Sequence, residues 1–447
     1  SLRRMKHTFT VFFSASDLLI PAYDAAALPD VFQPRLDTLM PTLGKLYQHF
    51  HAHPELSFQE EKTAARLAEE LRAIGLEVTT NVGGHGVVGV LKNGPGPTLL
   101  IRTDLDALPV KEQTGLPYAS QARSTDDKGN EVPVMHACGH DVHITALIGT
   151  ARLLKELSGV GMWKGTLVFI GQPAEERGGG AKAMLEDGLF TRFPKPDYCL
   201  ALHVSADMAA GTVGYTSGYA LANVDSVDIT VRGVGGHGAF PHATRDPIVL
   251  ASQIVLALQT IVSRETAPSE PAVVTVGSIH GGTKHNIIPD EVKLQLTLRS
   301  YTDEVREKTI EAVKRIARAQ ALSAGVPEDR LPIVTLSDEF TPATYNDPAL
   351  TWMLSGAFKK GFGDINVIER KPVMGGEDFS QYGRTEDKIP ICMFWVGAVK
   401  PAVFEESQKT GKPLPSLHSP FFAPDADLTL RTAVAAMTEA VLRIAGK

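Results

Sequence analysis

Cysteine is scarce in this chain: Cys138, Cys199 and Cys392 are the only three in 447 residues. An odd number without paired spacing excludes a disulfide framework and leaves each thiol free for other chemistry. Dense runs of Lys or Arg are also missing beyond Arg3, Arg4 and Lys6, and the net charge is -7. A polyanion-binding surface is therefore not expected, and nucleic acid drops out as a partner. Past the N-terminus no run approaches the roughly 18 apolar residues of a membrane span, so no membrane is expected either. Repeats and low-complexity tracts are absent. What remains, 43% hydrophobic and 21% charged residues, is the balance of a folded, water-soluble protein long enough for two domains.

The N-terminus has a weak export-signal flavour: a basic start, then Phe9, Val11, Phe12, Phe13, Leu18, Leu19 and Ile20, interrupted by Ser14, Ser16 and Asp17. The interruption favours a cytoplasmic, soluble protein with an N-terminal arm over residues 1–30, with export as the alternative. From Ser57 the pattern predicts a helix: Ser57 and Glu60 form a capping box, Ala64, Leu67, Ala68, Leu71 and Ile74 share a face, and Gly75 stops it. Short apolar runs at 86–91, 98–103, 165–170 and 197–202 alternate with helical patterns at 144–157 and 181–185, which predicts an α/β fold with a mostly parallel sheet. Around Val224 the texture changes. Strand 225–232, helix 246–264, strands 272–279 and 290–300, helix 302–324 and strand 332–336 make the β-α-β-β-α-β order of a ferredoxin-like unit. The α/β texture resumes after Thr341, with a helix at 347–362, a strand at 390–396 and a closing helix at 427–444. The expected organisation is a catalytic domain over 31–223 and 339–447, interrupted by an inserted α+β domain over 224–338.

The chemistry concentrates in a few segments. In Met135-His136-Ala137-Cys138-Gly139-His140-Asp141-Val142-His143, Gly139 permits the sharp turn that aims a thiolate and an imidazole at one point. Asp104 and Asp106 follow the 98–103 strand, Glu175 and Glu176 follow the 165–170 strand, and His203 closes the 197–202 strand. Ligands of α/β sheets bind beyond the carboxyl ends of the strands, so all these groups are expected on one edge. Adjacent Glu175 and Glu176 suit a metal site in which one carboxylate binds and the other moves protons. Glu60-Glu61 and Glu69-Glu70, by contrast, read as solvated helix faces.

Nine motifs running in order from about residue 45 to 425 carry a resemblance. They are 51–57 (His-Ala-His-Pro-Glu-Leu-Ser), 102–109 (Arg-Thr-Asp-Leu-Asp-Ala-Leu-Pro), 135–140, 172–176, 201–203, 235–242, 286–289, 375–379 and 417–420. The sequence resembles the two-zinc aminoacylase and carboxypeptidase family, in its amidohydrolase branch of hippurate hydrolases, auxin-conjugate hydrolases and N-acyl-amino-acid amidohydrolases. The resemblance implies two divalent metal ions per subunit held by Cys138, His140, Glu176, His203 and His418, zinc first and manganese, cobalt or nickel as alternatives. It makes Glu175 the general base, Asp104 and Asp106 groups that orient the ligands, and Asn286 and Arg299 grips for the substrate's oxygens. The inserted domain becomes a lid through which a homodimer forms, His237 entering the neighbouring subunit's site. His51, His53, His136 and His143 stay structural, with His51 and His53 in a helix-start motif.

The implied reaction is metal-dependent hydrolysis of N-acyl amino acids. The rival substrates are short peptides, as for a dipeptidase or carboxypeptidase. A metal-binding regulatory protein is disfavoured by the full set of ligands together with Glu175, and a thiol redox role for Cys138 by the lack of a resolving cysteine nearby.

Overall fold

The computed structural model describes residues 32–338 and 340–446; the 1–30 arm and its signal-like stretch lie outside them. Among the described residues, eight strands form the main sheet in the order Glu77–Val82, Gly86–Asn93, Gly165–Gln172, Thr98–Asp104, Tyr198–Ala209, Ile391–Val399, Val213–Tyr215 and Val367–Glu369. The four central strands, from Gly165–Gln172 to Ile391–Val399, run parallel; Gly86–Asn93 and Glu77–Val82 extend the sheet antiparallel on one side, and on the other Val213–Tyr215 joins antiparallel with Val367–Glu369 parallel to it. The central strands read as unbroken apolar runs because both faces are covered. Leu99, Ile101, Leu167 and Phe169 join one core with residues of helices Gln33–Ala52, His140–Gly159 and Ala426–Ala445. Leu100, Val168 and Ile170 share a second with Met184, Phe379 and Tyr382.

Three local expectations need correction. Helix Glu61–Ile74 starts three residues later than a Ser57 and Glu60 capping box requires and has no side-chain cap among the described residues: the Ser57 hydroxyl donates to Asp106 Oδ2 at 2.6 Å, and Glu60 is buried, not on a solvated face. Tertiary partners override the local motif, although Gly75, at φ 94°, does end the helix. His51 and His53 close a helix, Gln33–Ala52, instead of opening one. The strand through His203 continues to Ala209, so His203 lies within a strand and not at its end.

Residues 223–336 contain a separate four-stranded antiparallel sheet, ordered Ala272–Gly281, Glu291–Ser300, Asn223–Arg232, Ile333–Leu336, in the ferredoxin-like arrangement. Helices Pro247–Thr260 and Asp303–Ser323 contribute to its own core, with Ile229, Leu250, Ile254, Leu294 and Val313 among its members. The chain's two crossings between the sheets pair with each other: Val224 N–H donates to the Thr341 carbonyl at 2.8 Å and Thr341 N–H returns a bond to Val224 at 3.2 Å. The expectation of no membrane-length apolar segment also changes. Helix Pro247–Glu265 is long and apolar enough by composition, because it buries Leu250, Ile254 and Leu258 while leaving Ile248, Val249, Leu256 and Val262 exposed.

One buried ionic cluster ties the elements nearest the site. His51, at the end of its helix, holds Asp141 through Nδ1 at 2.7 Å and Glu112 through Nε2 at 2.9 Å. Burial opposes its protonation, but these hydrogen bonds outweigh burial and raise its pKa from the ordinary 6.5 to about 10. A pKa raised on folding stabilises fully below the unfolded value and ceases to do so as pH climbs through the folded one. We predict that His51→Gln, which strips two buried carboxylates of their cation, costs about 3 kcal/mol at about pH 6. Calorimetry should show the gap between wild type and variant closing as pH approaches 10; a gap of constant size would rule out the ionic origin.

Candidate metal centre

Gly139 makes the turn that the site is built on. Its φ of 78° is the left-handed conformation, and a Cβ there would lie 2.4 Å from Val204 Cγ2. Past this turn the chain enters helix His140–Gly159 with Cys138 and His140 on the same side of the opening. The strand register supplies the facing groups: Asp104 pairs with Gln172, Arg102 with Ala201, and His203 with Trp395, which aligns the ends of Thr98–Asp104 and Gly165–Gln172 with the middle of Tyr198–Ala209.

Hydrogen bonds on the far side of each imidazole decide which nitrogen is free. His140 Nδ1 donates to the Asp106 carbonyl at 2.8 Å, leaving Nε2 buried and without a hydrogen bond among the described residues. His203 Nδ1 donates to the Val204 carbonyl at 2.8 Å and turns Nε2 to within 3.6 Å of Cys138 Sγ. His143 is occupied on both sides, with Nδ1 on Asp104 at 2.8 Å and Nε2 accepting from Val204 N–H at 3.0 Å, so neither nitrogen is open to a metal. His136 is buried with neither ring nitrogen partnered among the described residues, and burial lowers its pKa to about 4. Glu176 places Oε2 3.5 Å from His418 Nε2 and Oε1 3.8 Å from His140 Nε2, and Oε1 has no hydrogen-bond partner among the described residues.

The donor atoms fall into two triads that share Cys138. Cys138, His140 and His203 lie within 4.8 Å of one another, as do Cys138, Glu176 and His418. Sulfur, imidazole and carboxylate donors around buried unpartnered atoms fit a pair of divalent cations, which these residues would hold. The protonation equilibria point the same way. Burial, then Glu377 and Glu176, push Glu175 well above the usual carboxylate range. Burial raises Glu176 to about 8 against the pull of His140, and burial with Glu176 and Glu175 raises the Cys138 thiol. Cations held by these residues would reverse each of these shifts.

Asp104 holds His143 and accepts from Arg102 at 2.9 Å; Asp106 accepts from Ser57 and from Glu176 N–H at 3.0 Å. A cleft of about 430 Å³ opens here, lined by Cys138, Glu175, Glu176, His203, His418 and Arg299, with Leu221, Val224, Val373, Trp395 and Leu417 as its apolar wall. Arg299 is half-buried, donating to the Met374 carbonyl at 3.0 Å and to Thr297 Oγ1 at 3.0 Å. His237 and Asn286 are exposed, their turns joined by a bond of 2.8 Å from Gly238 N–H to the Asn286 carbonyl, and do not line this cleft. Three participants escape the sequence reading. Arg102 donates to Asp104, Glu377 and Asp378 inside the core. Glu377 sits in a motif without an assigned role, and Glu60 satisfies the pattern of a helix cap.

Comparison with known proteins agrees with this geometry. The model of peptidase family M20/M25/M40 matches residues 100–409. N-acetyl-L-cysteine deacetylase of Bacillus subtilis is 38% identical over 352 residues, 78% of this chain and 79% of its own length. Hippurate hydrolase of Campylobacter jejuni is 37% identical over 348 residues, 77% of this chain and 86% of its own. Among solved structures, the B. subtilis YxeP protein, described as a dinuclear metal binding peptidase from the M20 family, superposes with a TM-score of 0.73 at 30% identity, covering 91% of this chain and 98% of its own. The chain therefore belongs to peptidase family M20/M25/M40 and is a hydrolase of amide bonds.

Proposed function

We propose that the protein hydrolyses N-acyl amino acids to a carboxylic acid and an amino acid. The observation that carries the reading is one thiol, Cys138, shared by two donor triads, with the carboxylate of Glu175 beside them in a cleft that also holds Arg299. Cys138, His140 and His203 would hold one divalent cation, and Cys138, Glu176 and His418 the other. Two such cations lower the pKa of water and polarise the scissile carbonyl. Thiolate and imidazole donors favour zinc, with manganese, cobalt and nickel as alternatives. Glu175 takes the proton from the attacking water and returns it to the departing amine, serving as base and then acid. Asp104 and Asp106 hold the ligand loops in place, and Arg299 grips the carboxylate on the amino-acid side.

The reading includes a homodimer, with residues 224–338 as an inserted lid and dimerisation domain between 31–223 and 339–447. Its support is the apolar outer face of helix Pro247–Glu265, where Leu256 is 72% exposed, beside Ala272–Gly281, an edge of its sheet among the described residues. A second copy would cover both. His237 and Asn286, exposed and outside the cleft of their own subunit, would then complete the partner's site, His237 by donating to the carbonyl oxygen and Asn286 by gripping the substrate.

Three outcomes are expected. Glu175→Gln keeps its metal and fold but loses at least about 100-fold in kcat on N-acetyl and N-benzoyl amino acids, whereas Cys138→Ala loses metal; elemental analysis beside turnover on these substrates and on dipeptides checks both, and a near-wild-type Glu175→Gln enzyme would remove it as the base. Arg299→Ala loses roughly 30-fold or more in kcat/KM on N-acyl amino acids but little on their amides; if it still strongly prefers the acid, the carboxylate is recognised elsewhere. Mixing inactive His237→Ala and Glu175→Gln chains regains roughly a quarter of wild-type sites under random exchange, and silent heterodimers would confine His237 to its own subunit.

A further inference from the structure

Glu60 departs from its sequence pattern, which places it on a solvated helix face. It is 0% exposed, and one of its oxygens, Oε1, accepts from Phe58 N–H at 2.9 Å and from Ala174 N–H at 2.7 Å. Both donors belong to residues other than glycine with left-handed backbones, Phe58 at φ 65° and Ala174 at φ 49°. Side chains with a Cβ disfavour that conformation, which persists only where surrounding bonds hold it. Ala174 directly precedes Glu175 and Glu176. Its carbonyl is held too, by Gly179 N–H at 3.2 Å and Gly180 N–H at 3.3 Å.

A second carboxylate grips the same two segments. Asp106 Oδ2 accepts from Ser57 Oγ and from Glu176 N–H, so Glu60 and Asp106 together bind the 57–58 turn to the 174–176 turn by four hydrogen bonds. Arg177 lies over the Phe58 ring at 5.4 Å and caps the junction from outside. Glu60 Oε2 is buried without a hydrogen-bond partner among the described residues, and burial, then Asp106, raises the Glu60 pKa to about 7.

We propose that Glu60 is a positioning residue whose carboxyl oxygen holds Ala174 in its left-handed conformation and so aims Glu175 at the cleft and Glu176 at Cys138 and His418. This rests on the assignment of Glu175 as base and Glu176 as metal ligand. The requirement is for an acceptor at Oε1 and not for a negative charge. Glutamine keeps that acceptor; methionine fills the volume without one. Glycine in place of Ala174 adopts a positive φ freely and removes the need for the clamp.

The test compares Glu60→Gln, Glu60→Met and Glu60→Met with Ala174→Gly against Ala174→Gly alone. Zinc affinity is read by competition with a chromogenic chelator on metal-free protein, and kcat and KM are measured separately. Glu60→Gln should stay within about 3-fold of wild type, while Glu60→Met weakens zinc binding at the looser site by roughly 10-fold and lowers kcat by roughly 30-fold, with KM within about 2-fold. In the Ala174→Gly background the same Glu60→Met change should cost only about 5-fold in kcat, since glycine removes the backbone penalty. Wild-type zinc affinity and kcat in Glu60→Met, equal losses in the Gln and Met variants, or equal losses with and without Ala174→Gly would each overturn the clamp. Should Glu60→Met not fold, folding rescued by Ala174→Gly supports it and no rescue overturns it. A wild-type enzyme silent on every N-acyl amino acid overturns the amidohydrolase reading instead, and the zinc titration still reports on the clamp.

Discussion

Buried negative charge is the constraint that the rest of this structure answers to. Asp104, Asp106, Glu175, Glu176, Glu377 and Asp378 crowd beyond the central strands, and the Arg102 guanidinium neutralises only one side of the group, at 2.9 Å from Asp104, 2.7 Å from Glu377 and 3.2 Å from Asp378. Taking a charge out of water costs several kcal/mol even after relaxation, unless a counter-charge and hydrogen bonds replace the solvent. On the Arg102 side these are permanent: Gln172 donates to Asp378 at 2.7 Å and Ala181 N–H does so at 3.0 Å. On the Glu175 and Glu176 side, protonation or cations must supply the balance. The asymmetry assigns the work: one half of the cluster is a fixed scaffold, and the other half responds to what binds.

The sheet makes this concentration possible. Parallel neighbours bring successive strand ends to one edge, so acids that are far apart in the chain meet without long loops. Thr98–Asp104 contributes Asp104 directly, Gly165–Gln172 leads into Glu175 and Glu176, and Tyr198–Ala209 carries His203 alongside Trp395 of the next strand. Arg370 stacks on Trp395 at 5.6 Å, and Trp395 lies 5.5 Å from the His203 ring, so the imidazole rests against a packed wall.

Legibility in the sequence follows the range of the interaction that decides each feature. Central strands announce themselves through consecutive apolar residues, and Cys138, His140, Glu175 and Glu176 through turns bearing glycine or proline. His51, Glu60 and Arg102 do not, because their partners lie far along the chain: 90 positions from His51 to Asp141, 114 from Glu60 to Ala174 and 275 from Arg102 to Glu377. A glutamate three residues after a serine satisfies the local rule for a helix cap whether or not a stronger acceptor role exists elsewhere. The outer face of Pro247–Glu265 misleads in the opposite direction: periodicity finds the helix, but nothing local tells a face packed on a sheet from one left bare. His237 and Asn286 sit in turns recognisable by pattern, yet their separation from the cleft is a fact of three-dimensional distance alone.

The His418 backbone N–H donates to the Ala137 carbonyl at 2.9 Å, so the residue before the thiol is clipped to a loop near the far end of the chain. During synthesis the amino-terminal portion leaves the ribosome first, and domains tend to fold as they emerge. Cys138, His140, Glu176 and His203 are available at that stage, whereas His418 follows much later in the chain. The strand Ile391–Val399 that pairs with His203, and the clip that seats His418, both come from this late-emerging portion, so the whole donor cluster waits on the carboxyl end of the chain. Synthesis of the chain and completion of this cluster therefore end together.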